Sequence, residues 1–467
     1  MTSPTPQAVV TTGSRMPIPT IGGKYFALAI LFVMNTLNYA DRYAFVAAGT
    51  HIQKALAIDD FWFGVLASAF MIVYTAIAPF TGWLGDRYNR KLLIFGGVGL
   101  WSFATVGAAF SADFYHMFFW RALLGIGEAT YGVIAPALLS DLFPIKERGR
   151  AMGVYYLALP VGTALGFVVG GTIADALGWQ AVFFVVGIPG LIAAFAALVM
   201  NDPGRGASEA AGAQIKTARS GLSDYLELIK TKTFVFNTLG MAAVTFATGA
   251  YATWGSTFYQ RVHGLTAAEA GQRIGPLLVG AGLIGILLGM FVPDILRKLT
   301  LRAYLIVAAL AVLCATPLGL IGILDHNTRS SLGYLFGASI LLSMVLGPCN
   351  TVIANVVAPN RRAAGYAMFI FFIHLLGDIS SPILLGWISE LFGNPNVMAS
   401  PIGRFFASLS ALPVGDTNLS VAMLSVAPVL VLGCFFFAVG SIYLPADEQT
   451  VRGAGGVAAE DLAQFHH

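Results

Sequence analysis

Asp41, Arg42, Arg121 and Glu128 are ionisable residues set inside long apolar stretches of a 467-residue chain that is 57% hydrophobic and only 10% charged. Taking an ionised side chain into hydrocarbon costs on the order of 3 kcal/mol even on lenient scales. Such residues persist where they pair with each other or line a watery path. Arg121, Glu128 and Tyr131 are seven and three residues apart and so share one helix face, and Asn35, Asn38 and Arg42 line a face of an earlier helix. Two carboxylates beside two guanidiniums can exchange protons and hold an anion. Asp41 and Glu128 are the candidate proton carriers, with Arg42, Arg121, Asn38 and Tyr131 as charge-pairing or substrate-binding partners. The plain structural alternative is a static ion-pair staple between helices.

Further along, His374 and Asp378 are four residues apart and therefore neighbours on a helix face. They are a second candidate proton or substrate site, or else a polar pair that stabilises packing. Asn350, Asn355 and Trp254 are the remaining second-half candidates. The rest of the expected cavity is apolar or aromatic (Tyr43, Phe70, Tyr74, Tyr251, Phe369). With few partners for a sugar's hydroxyls, this favours an amphipathic ligand.

The elements that must position these groups are membrane helices. Mean hydropathy is +0.77, and apolar runs long enough to cross a bilayer recur at roughly 24–50, 61–84, 91–111, 114–142, 149–177, 179–200, 233–260, 270–296, 302–324, 332–358, 362–392 and 417–444. This predicts an all-α membrane protein of twelve spans, six on each side of a polar 201–232 segment. That segment opens with the helix-stopping Asn201-Asp202-Pro203-Gly204 and carries a possible amphipathic surface helix around Leu222, Tyr225, Leu226 and Ile229. The domain reading is a disordered tail over 1–23, bundles over 24–200 and 233–444, a linker over 201–232 and a second tail over 445–467. No cleavable leader is expected; the first apolar run reads as an anchor. Most of the 26 Lys and Arg fall on one side if the N-terminus is inside, so both termini are expected in the cytoplasm, at the inner or plasma membrane if the source is bacterial. At about 1.5 Å per residue, Asp41, Arg121 and Glu128 then lie about 13, 10 and 21 Å below the outer ends of their spans.

A net charge of +3 gives no pointer to nucleic acid. Cys314, Cys349 and Cys434 lack any metal spacing and read as small core residues. No metal or cofactor is expected, and no nucleophile–base pair marks an enzyme. A channel would need a continuous polar stripe, whereas the polar residues here are clustered. Gly280-Ala281-Gly282-Leu283-Ile284-Gly285 matches a dinucleotide pattern but follows no strand.

An internal repeat relates the halves. Arg150-Ala151-Met152-Gly153 matches Arg362-Ala363-Ala364-Gly365. Gly171-Thr172-Ile173-Ala174-Asp175-Ala176-Leu177-Gly178 matches Gly386-Trp387-Ile388-Ser389-Glu390-Leu391-Phe392-Gly393 as Gly-x-Ile-small-acid-x-x-Gly. Duplicated halves rocking about a central site are a common transporter plan.

Between the second and third runs stands Gly82-Trp83-Leu84-Gly85-Asp86-Arg87-Tyr88-Asn89-Arg90-Lys91. It resembles the signature loop of the major facilitator superfamily, with Asn89 where Gly is usual; Asn tolerates a left-handed backbone and would keep the turn. The resemblance implies two pseudo-symmetric six-helix bundles, a cytoplasmic gate built on Gly82, Asp86, Arg87 and Arg90, and Asp141 and Arg150 joining it. Asp294 and Lys298 keep the Asp86–Arg90 spacing as a degraded copy. Asn38-Tyr39-Ala40-Asp41-Arg42-Tyr43, Arg121 to Ala129 with Tyr131, and Tyr155 to Gly162 are similar to the spinster-like branch. That branch implies proton-linked movement of lysolipids or sphingoid phosphates by alternating access. The expected partners are membrane lipids, protons and a small amphipathic substrate, with the chain acting as a monomer. A proton-linked carrier of a small organic anion is the alternative.

Overall fold

The computed structural model describes residues 23–204, 227–358, 361–409 and 418–454. The long helices are α1 (Lys24–Ala47), α2 (Asp60–Arg87), α3 (Arg90–Ala108), α4 (Phe114–Leu142), α5 (Arg150–Leu177) and α6 (Trp179–Val199), then α7 (Lys232–Val262), α8 (Ala267–Arg297), α9 (Ala303–Leu324), α10 (Thr328–Val356), α11 (Ala364–Leu391) and α12 (Leu419–Val451). Eleven of these, α2–α12, are long and apolar enough to cross a membrane. α1 reaches about 36 Å at 1.5 Å per residue, but its buried Asn35, Asn38 and Asp41 make it less apolar. The chain is thus a multi-pass integral membrane protein. Residues 222–226 of the expected surface helix and both extreme tails lie outside the described residues, while 227–230 are helical. α12 runs on past the expected boundary at 444, because Asp447 accepts a hydrogen bond from the Thr233 N–H (2.9 Å) and Glu448 pairs with Arg297 (2.7 Å).

Helix starts follow from side chains that accept the orphan first-turn N–H groups. Asp59 caps α2, Asp113 caps α4, Asn327 caps α10 and Asn418 caps α12. Thr266 and Glu269 form a reciprocal capping box on α8. Asn89 caps α3 by accepting from the N–H groups of Lys91 and Leu92, at φ −64°. This corrects the left-handed reading of Asn89: the turn keeps an ordinary backbone because the side chain starts the next helix.

Within the first half, α1 packs on α5 and α6, and α4 on α2 and α3; within the second, α7 packs on α12, and α10 on α8 and α9. The α1–α5 contact is close because Gly162, Gly166 and Gly170 face the α1 backbone. A Cβ at these positions would fall 2.4 Å from Thr36 O, 2.5 Å from Ala40 O and 2.6 Å from Ala44 Cα. Gly285 and Gly289 do the same for α8 on α10, at 2.3 Å from Ile340 O and from Met344 O. Of the cysteines, Cys349 is in the core, Cys434 is half-buried and Cys314 is exposed, so the core reading holds for Cys349 alone. The halves meet mainly through α5 against α8 and α2 against α11.

Overpacking such a backbone contact costs about 1–3 kcal/mol or more. Gly166→Leu should therefore lower the unfolding temperature of the detergent-solubilised protein by several degrees, whereas Gly99→Leu, facing open space, should leave it nearly unchanged.

Candidate functional site

The four membrane charges take up distinct surroundings. Glu128 on α4 is fully buried and ion-paired with Arg42 on α1, whose Nε donates to Glu128 Oε2 at 2.7 Å. Asp41, also buried, meets the Thr105 hydroxyl of α3 through Oδ2, and its Oδ1 has no hydrogen-bond partner among the described residues. Arg121 donates from Nε to Leu66 O (3.3 Å) and lies over the rings of Phe45 (4.0 Å) and Phe70 (4.9 Å); its Nη1 has no hydrogen-bond partner among the described residues. Arg42 lies over the same Phe70 ring at 4.9 Å and over Tyr39 at 5.1 Å. One aromatic ring thus serves two guanidiniums, each gaining from its π system.

Between the halves lies a cavity of about 310 Å³. Arg42 and Arg121 line it from the first half, and His374, Asp378, Thr248 and Thr253 from the second. His374 Nδ1 is 2.8 Å from Asp378 Oδ2. The two residues bound a single π-helical turn in α11, His374–Asp378. α7 holds that widened turn: the Thr245 hydroxyl is 2.9 Å from Ile373 O, and Gly377 lies against Thr245. A second chamber of about 360 Å³ adjoins the first, sharing Tyr43, Leu159, Thr248 and Ala252. Its other walls are largely apolar, among them Met241, Val244, Leu278, Leu283, Ile286 and Leu342.

Other sequence candidates sit elsewhere. Tyr131 donates to Leu31 O (2.6 Å) inside the first half, and Asn38 is buried away from the cavity wall. Asn350 donates to Leu346 O of its own helix (2.8 Å). Asn355 donates to Glu448 (2.9 Å), so it is tied into the Arg297 ion pair. Trp254 is fully buried, donates to Pro382 O (3.1 Å) and meets Phe63 edge-on. In the signature loop, Arg90 reaches Asp141 and Asp202, both at 2.5 Å; Arg87 lies over Trp83, Gly82 faces α4, and Arg150 is exposed. The Asp86 side chain lies outside those described. In the degraded copy, Asp294 accepts from Tyr304 (2.8 Å) and Arg297, rather than Lys298, makes the ion pair.

Sequence reasoning missed the end at which the halves close. Asp60, 1% exposed, accepts from Gln53 (2.8 Å), Arg261 (2.9 and 2.8 Å) and Ser389 (2.7 Å), which joins α2 to α7 and α11. Two acids flank this knot symmetrically. Asp175, at the end of α5, accepts from the Ala268 N–H at the start of α8 (2.7 Å); Glu390, at the end of α11, accepts from the Phe61 N–H at the start of α2. In each case a glycine four residues earlier allows the approach. A Cβ on Gly171 would fall 2.1 Å from Ala267 O, and one on Gly386 would fall 2.3 Å from Asp60 O. The signal was present in the sequence: these are the glycines and acids of the Gly-x-Ile-small-acid repeat. Each acid caps a helix start in the opposite half, where the helix dipole favours a negative charge.

Truncating one partner of a buried ion pair typically costs about 3–5 kcal/mol. Arg261→Ala should therefore destabilise the closed end, giving a larger separation of spin labels at Leu177 and Arg329. Adding Asp60→Asn removes the stranded charge and should recover thermal stability while leaving the end loosened.

A family model described as Major Facilitator Superfamily matches residues 31–382. Over 445 residues the chain is 33% identical to "Protein spinster homolog 3" of Danio rerio, covering 92% of this chain and 87% of that one. It is 32% identical to "Sphingosine-1-phosphate transporter SPNS2" of the same organism, covering 90% and 84%. A crystal structure of a bacterial homologue of the human lysosomal transporter spinster superposes with a TM-score of 0.75 over 94% of this chain and 98% of that one, at 22% identity.

Proposed function

The chain belongs to the major facilitator superfamily and, within it, to the spinster proteins; on that premise we propose that it is a proton-coupled carrier of a lysolipid or sphingoid phosphate, working by alternating access. As a member of that family it is a membrane transporter and not an enzyme. One observation carries the substrate reading: a chamber lined by two guanidiniums shares a wall with an apolar chamber. An anionic headgroup suits the first and a hydrocarbon chain the second. Arg121, with a guanidinium nitrogen unpartnered among the described residues, is the headgroup's first contact. The relative named as a sphingosine-1-phosphate transporter supports this class, since that molecule joins a phosphate to one long chain. The fully exposed route of a soluble organic anion would leave the apolar chamber without a role.

In this reading α1 is the first of twelve spans, and both termini face the cytoplasm in keeping with the Lys and Arg distribution. The closed end carrying Asp60 is then the outer one, and the cavity serves the inner side. The six-helix halves rock about the cavity as two bodies, and one copy of the chain suffices. Asp41 and Glu128 carry the proton. Arg42 supports their coupling to substrate because it both lines the cavity and holds Glu128. A headgroup that draws Arg42 toward itself frees the Glu128 carboxylate, which then takes up a proton; substrate and proton thereby answer to the same cation.

The unmodified protein should show a pH-dependent change in outer-end spin-label distances, and Asp41→Asn and Glu128→Gln should abolish it. If both variants still respond to pH, the proton is carried elsewhere, with His374 and Asp378 next to be substituted. In reconstituted vesicles, matched lysolipids should be moved in preference to soluble organic anions. Preference for the soluble anion would retire the lipid reading in favour of an organic-anion carrier.

A further inference from the structure

The segment joining α11 to α12 folds into two short helices, Pro395–Met398 and Pro401–Leu409. The second divides its surface three ways. One side packs on the protein: Gly403 is buried, with room for no Cβ against Val397 O (2.1 Å), and Phe406 meets Phe392 edge-on at 5.2 Å. A second side carries Arg404 and Ser408, both exposed. A third presents Ile402, Phe405 and Leu409, which are 64%, 59% and 42% exposed. At about 100° per residue these three fall within about 60° of arc, and Arg404 and Ser408 point to the adjoining sector.

Its level in the molecule is set by its tethers. Phe392 is the residue after α11, and the Asn418 N–H donates to Ser389 O of α11 at 2.8 Å. The same end of the molecule is ringed by large exposed side chains at helix ends: Trp62 at the start of α2, Phe110 just after α3, Tyr115 at the start of α4 and Trp387 near the end of α11. Aromatic residues at span ends mark the bilayer–water boundary. The Pro401–Leu409 helix stands at that boundary, at the same end of the molecule as the exposed Trp387 of α11, with its apolar sector exposed among the described residues.

We propose that the Pro401–Leu409 helix is a membrane-surface anchor, inserting Ile402, Phe405 and Leu409 into the interface of the leaflet at the closed end and keeping Arg404 at the headgroups. The occupant is phospholipid rather than protein, because the sector lies at the end of the molecule ringed by exposed aromatic residues and is bordered by Arg404, a cation suited to phosphate. The anchor fixes the end of α11 that carries Ser389 and Glu390, so the bilayer itself helps hold the clamp on α2. This stands apart from the substrate reading and needs only that the chain spans a membrane.

The test uses the full chain in nanodiscs of phosphatidylcholine and phosphatidylglycerol. In a Cys314→Ala, Cys349→Ala, Cys434→Ala background, nitroxides are placed singly by Ile402→Cys, Arg404→Cys, Phe405→Cys, Ser408→Cys and Leu409→Cys. Oxygen collisions should exceed those with a water-soluble nickel chelate at 402, 405 and 409, and the ratio should invert at 404 and 408. Nickel-dominated collisions at all five positions would place the helix in water and overturn the proposal. Exclusion of both reagents at 402, 405 and 409 would also overturn it, in favour of a protein partner or a second copy. Hydroxyl-radical labelling of the unmodified chain gives a substitution-free reading. Phe405 should be shielded relative to Tyr88, which is exposed at the opposite end; labelling of Phe405 equal to that of Tyr88 would refute the anchor.

Discussion

A carboxylate such as Glu128 stays ionised in the middle of a membrane helix only while a cation stays with it, because the low-dielectric surroundings give it no other solvation. Here that cation, Arg42, is also part of the cavity wall. The arrangement makes the stability of the first half depend on what occupies the space between the halves. Arg42 is itself held by aromatic faces, sharing Phe70 with Arg121. The glycine-lined seam of α1 on α5 keeps α1 from yielding instead. Rigid backbone on one side and a movable ligand on the other is the condition under which binding energy becomes a shift between states.

The closed end obeys the same constraint by a different device. Asp60 is neutralised within the protein by Arg261 and by hydrogen bonds from Gln53 and Ser389, whereas Asp175 and Glu390 each accept a backbone N–H, with His51 Nε2 also 3.3 Å from Asp175. Those N–H donors exist only because α8 and α2 begin there, and they are reached only because Gly171 and Gly386 carry no side chain. The duplication of the chain thus survives as a matched pair of clamps, each half gripping a helix start of the other. Any separation of the halves would have to break both clamps.

The π-helical turn of α11 connects these two regions. It is bounded by the cavity-facing His374–Asp378 pair itself, and the clamp residues Ser389 and Glu390 follow it on the same helix. A widened turn rotates one part of a helix relative to the other, and Thr245 of α7 occupies the space so created. The side chains that meet the cavity and those that meet α2 are therefore both brought toward the first half from one continuous helix.

The amino-acid sequence by itself determined the membrane class, eleven of the spans, the two-half repeat and the family, because each rests on local composition or contiguous motifs that need no partner. It also singled out Arg42, Arg121, His374 and Asp378, which the structure brings to one cavity, and Glu128, which pairs with Arg42, since charge within an apolar run is conspicuous. It erred where a residue's role depends on what lies opposite. Asn355 serves an ion pair with Glu448, Trp254 packs at the closed end, Tyr131 bonds the α1 backbone, and Asn89 caps α3. Only the tertiary structure decided that Asp175 and Glu390 cap helices of the opposite half, that Asp60 is a buried knot, and that a charged and an apolar chamber share a wall. Those facts are set by contacts between segments as many as 329 residues apart, and hydrogen bonds over that separation leave no periodicity in the chain that makes them.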